Sequence, residues 1–96
     1  MSVYVVAQSR IENRKVLDEY VGKALPTITA GGGKVLAFDE EPAVIEGENP
    51  LPRTVILEFP THEVFQSWYD SERYQAVLPL RLQSAPGNLI VVKGLG

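Results

Sequence analysis

Three short segments of this chain are apolar at nearly every position and lack the alternation typical of a strand with one face in water. They are Val3–Ala7, Val55–Leu57 and Leu89–Val92. A sheet built from such strands needs both of its faces covered. Only two long segments show a helical pattern, which is enough to cover one face. The other face must meet something else, and a second copy of the chain is the simplest candidate.

The composition narrows the class of protein and its partners. A length of 96 residues predicts one domain over residues 1–96. The net charge of −3 argues against nucleic acid as a partner. No run approaches the ~20 apolar residues of a membrane span, and the N-terminus enters a strand pattern without a signal-peptide region. The absence of Cys leaves no disulfide and no thiol nucleophile, so we expect a cytoplasmic protein.

The first half of the chain reads as strand, helix, strand. The strand covers Val3–Ser9, and the helix begins at an N-cap that is either Glu12 or Asn13. Pro26 should kink or tighten its last turn, and one of the glycines at 31–33 should take the left-handed conformation that ends it. The second strand runs over 34–39. The apolar stripe of the helix is Leu17, Tyr20, Val21, Ala24 and Ile28.

The second half repeats this order after a loop at 40–52 rich in Pro, Gly and acids. A strand at 53–59 precedes a helix capped by Thr61, which breaks at Asp70 and is capped again by Ser71. The continuation carries Tyr74, Val77, Leu78 and Arg81 on one face. We expect a turn at 85–88 and a last strand at 89–93.

Two βαβ halves of this length, each with a right-handed crossover, predict an α+β, ferredoxin-like βαββαβ sandwich. The expected sheet is antiparallel with strand order 4-1-3-2 and has two helices on one face. A doubly wound parallel sheet is the alternative, but it needs more βα units than the chain supplies. The bare face would have a projected area of roughly 400 Å² and a larger accessible area, which is near or above the roughly 300–600 Å² of the largest apolar patch that a monomer usually exposes. Leaving this face in contact with water would lose ~10 kcal/mol of hydrophobic stabilisation per chain. We therefore predict a homodimer that forms through this face.

A set of short motifs runs along the chain in a fixed order: Gly32-Gly33, Glu46-Gly47, Arg53, Glu58-Phe59-Pro60, Trp68-Tyr69, Ser71-Glu72-Arg73-Tyr74, Arg81 and Gly94. In this order and spacing the motifs resemble the uncharacterised bacterial family called domain of unknown function 1330. The resemblance covers nearly the whole chain, although the family typically has Pro where Glu72 stands and often a small residue near Phe65. It implies a dimeric α/β barrel, in which two sheets face each other with helices outside. It implies no agreed activity, because the superfamily includes cofactor-free monooxygenases, haem enzymes, dehydratase-like proteins and stress proteins.

Arg81 is the most suggestive candidate site residue, because it occupies a helix face where an apolar residue is expected. Its planar guanidinium could bind the carboxylate or enolate of a small ligand. The alternative is a structural ion pair, or a stem that extends along the apolar face near the end of the helix.

Two further residues are candidates for proton transfer. Glu58, near the end of the third strand and beside Tyr4, could act as a base if its surroundings raise its pKa. His62, the single histidine, could act as a general base in the first turn of its helix. The alternative for Glu58 is a structural carboxylate that is paired with a helix N-terminus or an Arg. The alternative for His62 is a histidine that faces solvent.

Aromatic residues and one strand arginine complete the predicted ligand-binding set. Trp68, Tyr69 and Tyr74 could line a pocket for a flat organic ligand. Arg53, at the start of the third strand and near Gln8, is the fourth candidate ligand-binding residue. The alternative, which is favoured for Trp68, is a core residue between helix and sheet. The segment Gly31–Lys34 is not a phosphate loop, since it follows a helix and enters a strand. We expect no cofactor, and one His without Cys does not supply a usual zinc ligand set.

Two hypotheses remain open from the sequence. The first is a cofactor-independent enzyme for a small anionic or aromatic metabolite, with a pocket between helices and sheet in each subunit. Arg81 would anchor an anionic group, Glu58 or His62 would move a proton, and Tyr69 or Tyr74 would orient the substrate. The second is a ligand-binding or structural homodimer without catalysis.

Overall fold

A four-stranded antiparallel sheet forms one layer of the molecule and three helices form the other, in a computed structural model that describes residues 1–95. The strand order β2-β3-β1-β4 is the predicted order read from the opposite edge, so the ferredoxin-like arrangement is confirmed. None of the helices formed by residues 1–95 is long and apolar enough to cross a membrane. The elements are β1 (Val3–Ser9), α1 (Arg14–Ala30), β2 (Lys34–Asp39), β3 (Arg53–Phe59), α2 (His62–Tyr69), α3 (Glu72–Ser84) and β4 (Gly87–Lys93).

Each helix begins at a polar side chain that caps its first turn. The side chains of Asn13, Thr61 and Ser71 each accept a hydrogen bond from the backbone N–H three residues later. Asn13, rather than Glu12, is therefore the first cap. The cap at Ser71 divides the second helical segment into α2 and α3, which confirms the predicted break after Asp70.

The end of α1 and the start of β4 depend on glycine. Gly32 has a φ of 89°, the left-handed conformation predicted within the glycine run. The predicted start of the last strand was wrong by two residues, because Gly87 pairs with Ser9 and already belongs to β4. A Cβ at Gly87 would lie 2.0 Å from the carbonyl oxygen of Gln8, so only glycine allows the two strands to approach this closely.

The hydrophobic core lies between the helices and one face of the sheet. Of the predicted stripe on α1, only Val21 is half-buried and the rest is buried. Trp68 packs against Phe59 and Tyr74, with ring centroids 5.3 and 4.2 Å away, and its indole N–H donates to the hydroxyl of Thr27 at 3.0 Å. This bond ties α2 to α1, so Trp68 does fill the core as the structural alternative predicted.

The other face of the sheet, which we call the open face, is apolar at its centre, whereas Gln8, Thr54 and Asn88 lie in register along one end of it. It carries the residues of each strand that alternate with the buried ones, because side chains point to opposite faces with a period of two. Val6 is in register with Ile56 on one side and with Ile90 on the other. The molecule measures 32 × 32 × 16 Å, which leaves thickness for only one helical layer. On β1, β3 and β4, the apolar residues of the open face are Tyr4, Val6, Ile56, Ile90 and Val92.

Candidate functional site

A cavity of ≈ 50 Å³ lies between α1, α3 and the helix-facing side of the sheet. This volume holds a few water molecules or one small anion. Its walls are mostly apolar. The residues with polar groups among those that line it are Tyr20, Tyr74, Arg53 and Arg81.

Strand register places Arg53 in this cavity. As the first residue of β3 it pairs with Ser9, and it shares the helix-facing side of the strand with Val55 and Leu57. Arg53 is only 3% exposed, and its Nε atom has no hydrogen-bond partner among residues 1–95. Its guanidinium carbon lies 4.9 Å from the centre of the Phe38 ring, a cation–π contact. The buried hydroxyl of Ser9 is likewise without a partner in the described chain.

Helical spacing places Arg81 beside it, because Tyr74, Leu78 and Arg81 fall on one buried face of α3. Arg81 is 9% exposed, so most of its side chain is covered by the rest of the chain. Its Nε atom is buried and, in the part of the chain that the structure describes, unpartnered. It lies in the last turn of α3, where the helix dipole favours a cation.

Neither guanidinium has an acidic partner within residues 1–95. The ion pairs of the described chain join Arg10, Arg14 and Lys23 to acids, and none includes Arg53 or Arg81. Glu40 is held by Arg14 through two hydrogen bonds of 2.8 and 2.9 Å, which lower the pKa of that carboxyl. The ion-pair alternative for Arg81 therefore finds no supporting carboxylate among residues 1–95.

The cost of burying a cation shows in the pKa of Arg53. Burial is the largest effect and lowers this pKa, because the charged form loses its hydration. Tyr20 and Glu40 act in the opposite direction, and the nearby charge of Arg81 lowers this pKa further. The positive charge of Arg53 is thus partly offset by these groups but has no ion-pair partner among residues 1–95.

Two buried phenols lie next to the guanidiniums. The hydroxyl oxygens of Tyr20 and Tyr74 are 2.9 Å apart and hydrogen-bonded, and either can be the donor. Burial, followed by the contact with Tyr74, raises the pKa of Tyr20 well above the ordinary phenol value. At neutral pH Tyr20 therefore offers a hydroxyl that donates or accepts a hydrogen bond and does not act as a base.

The structure brings most of the predicted ligand-binding residues together. Arg53, Arg81, Trp68 and Tyr74 all line the cavity. Tyr69 does not line it; its ring lies 5.6 Å from that of Tyr74, on the outer side of the aromatic cluster. Trp68 and Tyr69 both pack against the ring of Tyr74 and so fix its position in the wall of the cavity.

The two predicted proton carriers lie elsewhere. Glu58 pairs with Tyr4, as expected, and with Lys34, on the face of the sheet opposite to the helices. The sheet itself therefore separates Glu58 from the cavity. His62 is exposed at the start of α2, with its ring 5.7 Å from that of Phe65. Residues 1–95 contain no cluster of three or more His, Cys, Asp or Glu side chains that could hold a metal ion.

Two cavity residues were missed by the sequence analysis. Tyr20 was assigned to the apolar stripe of α1 only, although a buried tyrosine hydroxyl needs a polar partner and so gives a detectable signal. Phe38 was assigned to β2 without a role. No local pattern marks its contact with Arg53, because the two residues are on different strands.

Comparison with known proteins identifies the family. The sequence model of the family described as "Domain of unknown function (DUF1330)" matches residues 2–95, so the chain belongs to this family. The resemblance found in the motifs is thereby confirmed. No curated protein matches the chain.

Solved structures share the fold at low sequence identity. A protein of unknown function from Rhodopseudomonas palustris, RPA0582, has a TM-score of 0.80 at 19% identity, over 99% of this chain and 83% of that one. SnoaB, a cofactor-independent oxygenase from Streptomyces nogalater, has a TM-score of 0.70 at 6% identity over 99% and 94%. A dimeric ferredoxin-like protein of unknown function from Jannaschia sp. CCS1 has a TM-score of 0.69 at 9% identity over 98% and 100%. At these identities the likeness concerns the fold alone.

Replacing Arg53 by methionine should stabilise the ligand-free protein. The substitution keeps most of the side-chain volume and removes a buried charge without a partner, so we expect the free energy of unfolding to rise by about 1 kcal/mol. Urea denaturation in a buffer free of organic anions measures this change. The matched control is Arg10→Met at an exposed ion pair, which should change stability by less than about 0.5 kcal/mol. A loss of more than about 1 kcal/mol in Arg53→Met would show that Arg53 has a structural partner.

Tyr20 should make the protein less stable at alkaline pH. Because its pKa is raised in the folded state, its contribution is complete below the unfolded pKa of about 10 and is lost as pH rises beyond it. Urea denaturation at pH 9, 10 and 11 of the wild type and Tyr20→Phe gives the two slopes. We expect a shallower fall above about pH 10 in the variant, by up to ~1.4 kcal/mol per pH unit. Equal slopes would contradict the assignment.

Proposed function

We propose that this member of the DUF1330 family is a homodimer that binds a small organic anion between its helices and its sheet. One observation carries the proposal: Arg53 and Arg81 are buried in one cavity, and no carboxylate of residues 1–95 lies within 4.0 Å of either. Buried charges in proteins are normally paired, so an anion from outside the chain is the natural partner.

The cavity offers chemically complementary groups to a carboxylate. Each guanidinium is a planar set of N–H donors of the kind that binds carboxylate oxygens, and its buried Nε has no partner among residues 1–95. In this role Arg81 anchors the anionic group together with Arg53. The hydroxyls of Tyr20 and Tyr74 can donate a further hydrogen bond, and Trp68 closes the cavity as an apolar wall. The low dielectric of the site strengthens each of these contacts.

Cofactor-independent catalysis is the second candidate, and the phenol pair favours it. Two guanidiniums and two hydroxyls held in an apolar cavity could stabilise negative charge that develops on a ligand oxygen. SnoaB, which shares the fold, is described as a cofactor-independent oxygenase. Glu58 and His62 lie outside the cavity, so proton transfer by either needs a site that extends beyond it. The geometry of one chain supports binding more directly than turnover.

Substitution of Arg81 distinguishes anion binding from a structural role. We expect acetate, pyruvate or benzoate to bind the wild type in isothermal titration calorimetry, and Arg81→Ala to weaken binding at least about tenfold through lost charge-assisted hydrogen bonds. The control is Arg73→Ala, an exposed arginine on the same helix, which should bind as the wild type does. A structural role predicts instead a lower melting temperature for Arg81→Ala and no binding of any carboxylate by the wild type.

The open face supports self-association. Val6, Ile56, Ile90 and Val92 form an apolar surface across three strands, and no helix of residues 1–95 lies over it. A surface of this kind on a stable protein usually contacts a partner. The structurally similar protein from Jannaschia is described as dimeric. Two such faces packed against each other would give the predicted dimeric α/β barrel.

A lysine at Ile90 should dissociate this dimer without unfolding the chain. Ile90 is 54% exposed in the single chain, so a charge there meets water in the monomer but an apolar surface in the dimer. We expect sedimentation velocity to show a dimer for the wild type and a monomer for Ile90→Lys. Leu82→Lys, at a residue 59% exposed on α3, is the control and should remain dimeric. A monomeric wild type at micromolar concentration would exclude the dimer.

A further inference from the structure

We infer that the ligand is an amphiphilic carboxylate: its head binds Arg53 and Arg81, and an apolar body of at least ring size lies in the gap between α1 and β2. The inference rests on the proposed anion binding and adds the class of ligand. The surface for the body consists of Leu25, Val35 and Phe38, which we call the apolar rim.

The size of the cavity limits what can lie inside. A volume of ≈ 50 Å³ accepts a carboxylate group and little else. The walls around it are side chains of the core, such as Trp68 and Tyr74, which are 3% and 1% exposed and already packed. The remainder of any larger ligand must therefore lie at the mouth of the cavity.

The mouth is apolar, and it is exposed. Leu25 on α1 and Val35 and Phe38 on β2 line the cavity, yet each is between 39 and 46% exposed. Single exposed apolar side chains are common on protein surfaces. Three of them around the opening of a positively charged cavity form a surface that complements an apolar group attached to an anion.

A β-bulge creates this rim. Val35 is in register with Leu57, but the register then shifts, so that Phe38 is in register with Val55. Without the shift, two residues three positions apart would point to opposite faces of the sheet. The bulge at Leu36 turns both Val35 and Phe38 towards the helices, a use of bulges that is frequent beside binding sites.

Phe38 joins the rim to the charged part of the site. Its ring lies 4.9 Å from the guanidinium carbon of Arg53, so an atom bonded to a carboxylate on Arg53 comes close to Phe38. The neighbouring groove, which Arg53 and Phe38 also line, contains the bridge between Arg14 and Glu40 and the acidic side chains of Asp39 and Glu41. An apolar body attached to an anion meets these acidic side chains in the groove and only apolar ones at the rim.

The test compares acetate with benzoate, which share the carboxylate and differ by a ring. We expect isothermal titration calorimetry to show that benzoate binds the wild type at least about tenfold tighter than acetate, as expected from the burial of a ring. Phe38→Ala should remove most of this preference, because benzoate loses its contact with the ring, whereas any change at Arg53 affects acetate and benzoate alike. Leu25→Ala, on the opposite side of the gap and in an exposed helical position, is a second variant and should act in the same direction. Leu82→Ala, far from the rim on the outer side of α3, is the matched control.

The outcomes separate this inference from the proposed function. If acetate and benzoate bind equally and neither rim variant changes their ratio, the rim has no role and anion binding stands. If no carboxylate binds, both the inference and the proposed function are overturned. If Phe38→Ala and Leu25→Ala yield monomers in sedimentation velocity and keep the preference for benzoate, the rim is a contact between copies of the chain and the inference is wrong.

Discussion

The pairing of β1 with both β3 and β4 is the constraint on which the rest of the structure depends. Because side chains alternate along a strand, one register assigns every residue of three strands either to the helices or to the open face. It sends Val5 and Leu57 into the core and Val6 and Ile56 to the opposite side. The same register turns Arg53 inward and Glu58 outward. A slip by one residue would exchange all of these positions.

The two buried guanidiniums of the cavity lower the stability of the folded chain. Two guanidiniums without acids are buried among aromatic and aliphatic side chains, where a methionine would cost less free energy. Glu40 lies close enough to influence the pKa of Arg53, yet its carboxylate is hydrogen-bonded to Arg14 instead. Departures of this kind from local rules are typical of functional sites, because the missing partner is supplied by a ligand. The phenol pair of Tyr20 and Tyr74 adds hydroxyls whose orientation a ligand can use.

Individual residues show which parts of this site could be predicted from sequence patterns. Arg81 was found because it breaks an apolar helical stripe, which is a local signal. His62 and Glu58 were chosen for their chemistry, and their distance from the cavity depends on which face of an element they occupy. For Glu58 that face follows from its apolar neighbours Leu57 and Phe59, which are core residues. Tyr20 was assigned to the apolar stripe because of its ring, and the structure identified the partner of its hydroxyl as Tyr74.

The sequence by itself determined the order of the elements, the caps that begin the helices and a sheet with two apolar faces. These features depend on spacing between near neighbours, where helical and strand periods act directly. Only the tertiary structure decided that Arg53 and Arg81 line one cavity, and that neither forms an ion pair with an acid of residues 1–95. It also decided that Phe38 joins them, because its direction results from a bulge that exists only in the pairing of β2 with β3. Such convergence is set by strand register and by the packing of distant elements, which no local spacing encodes.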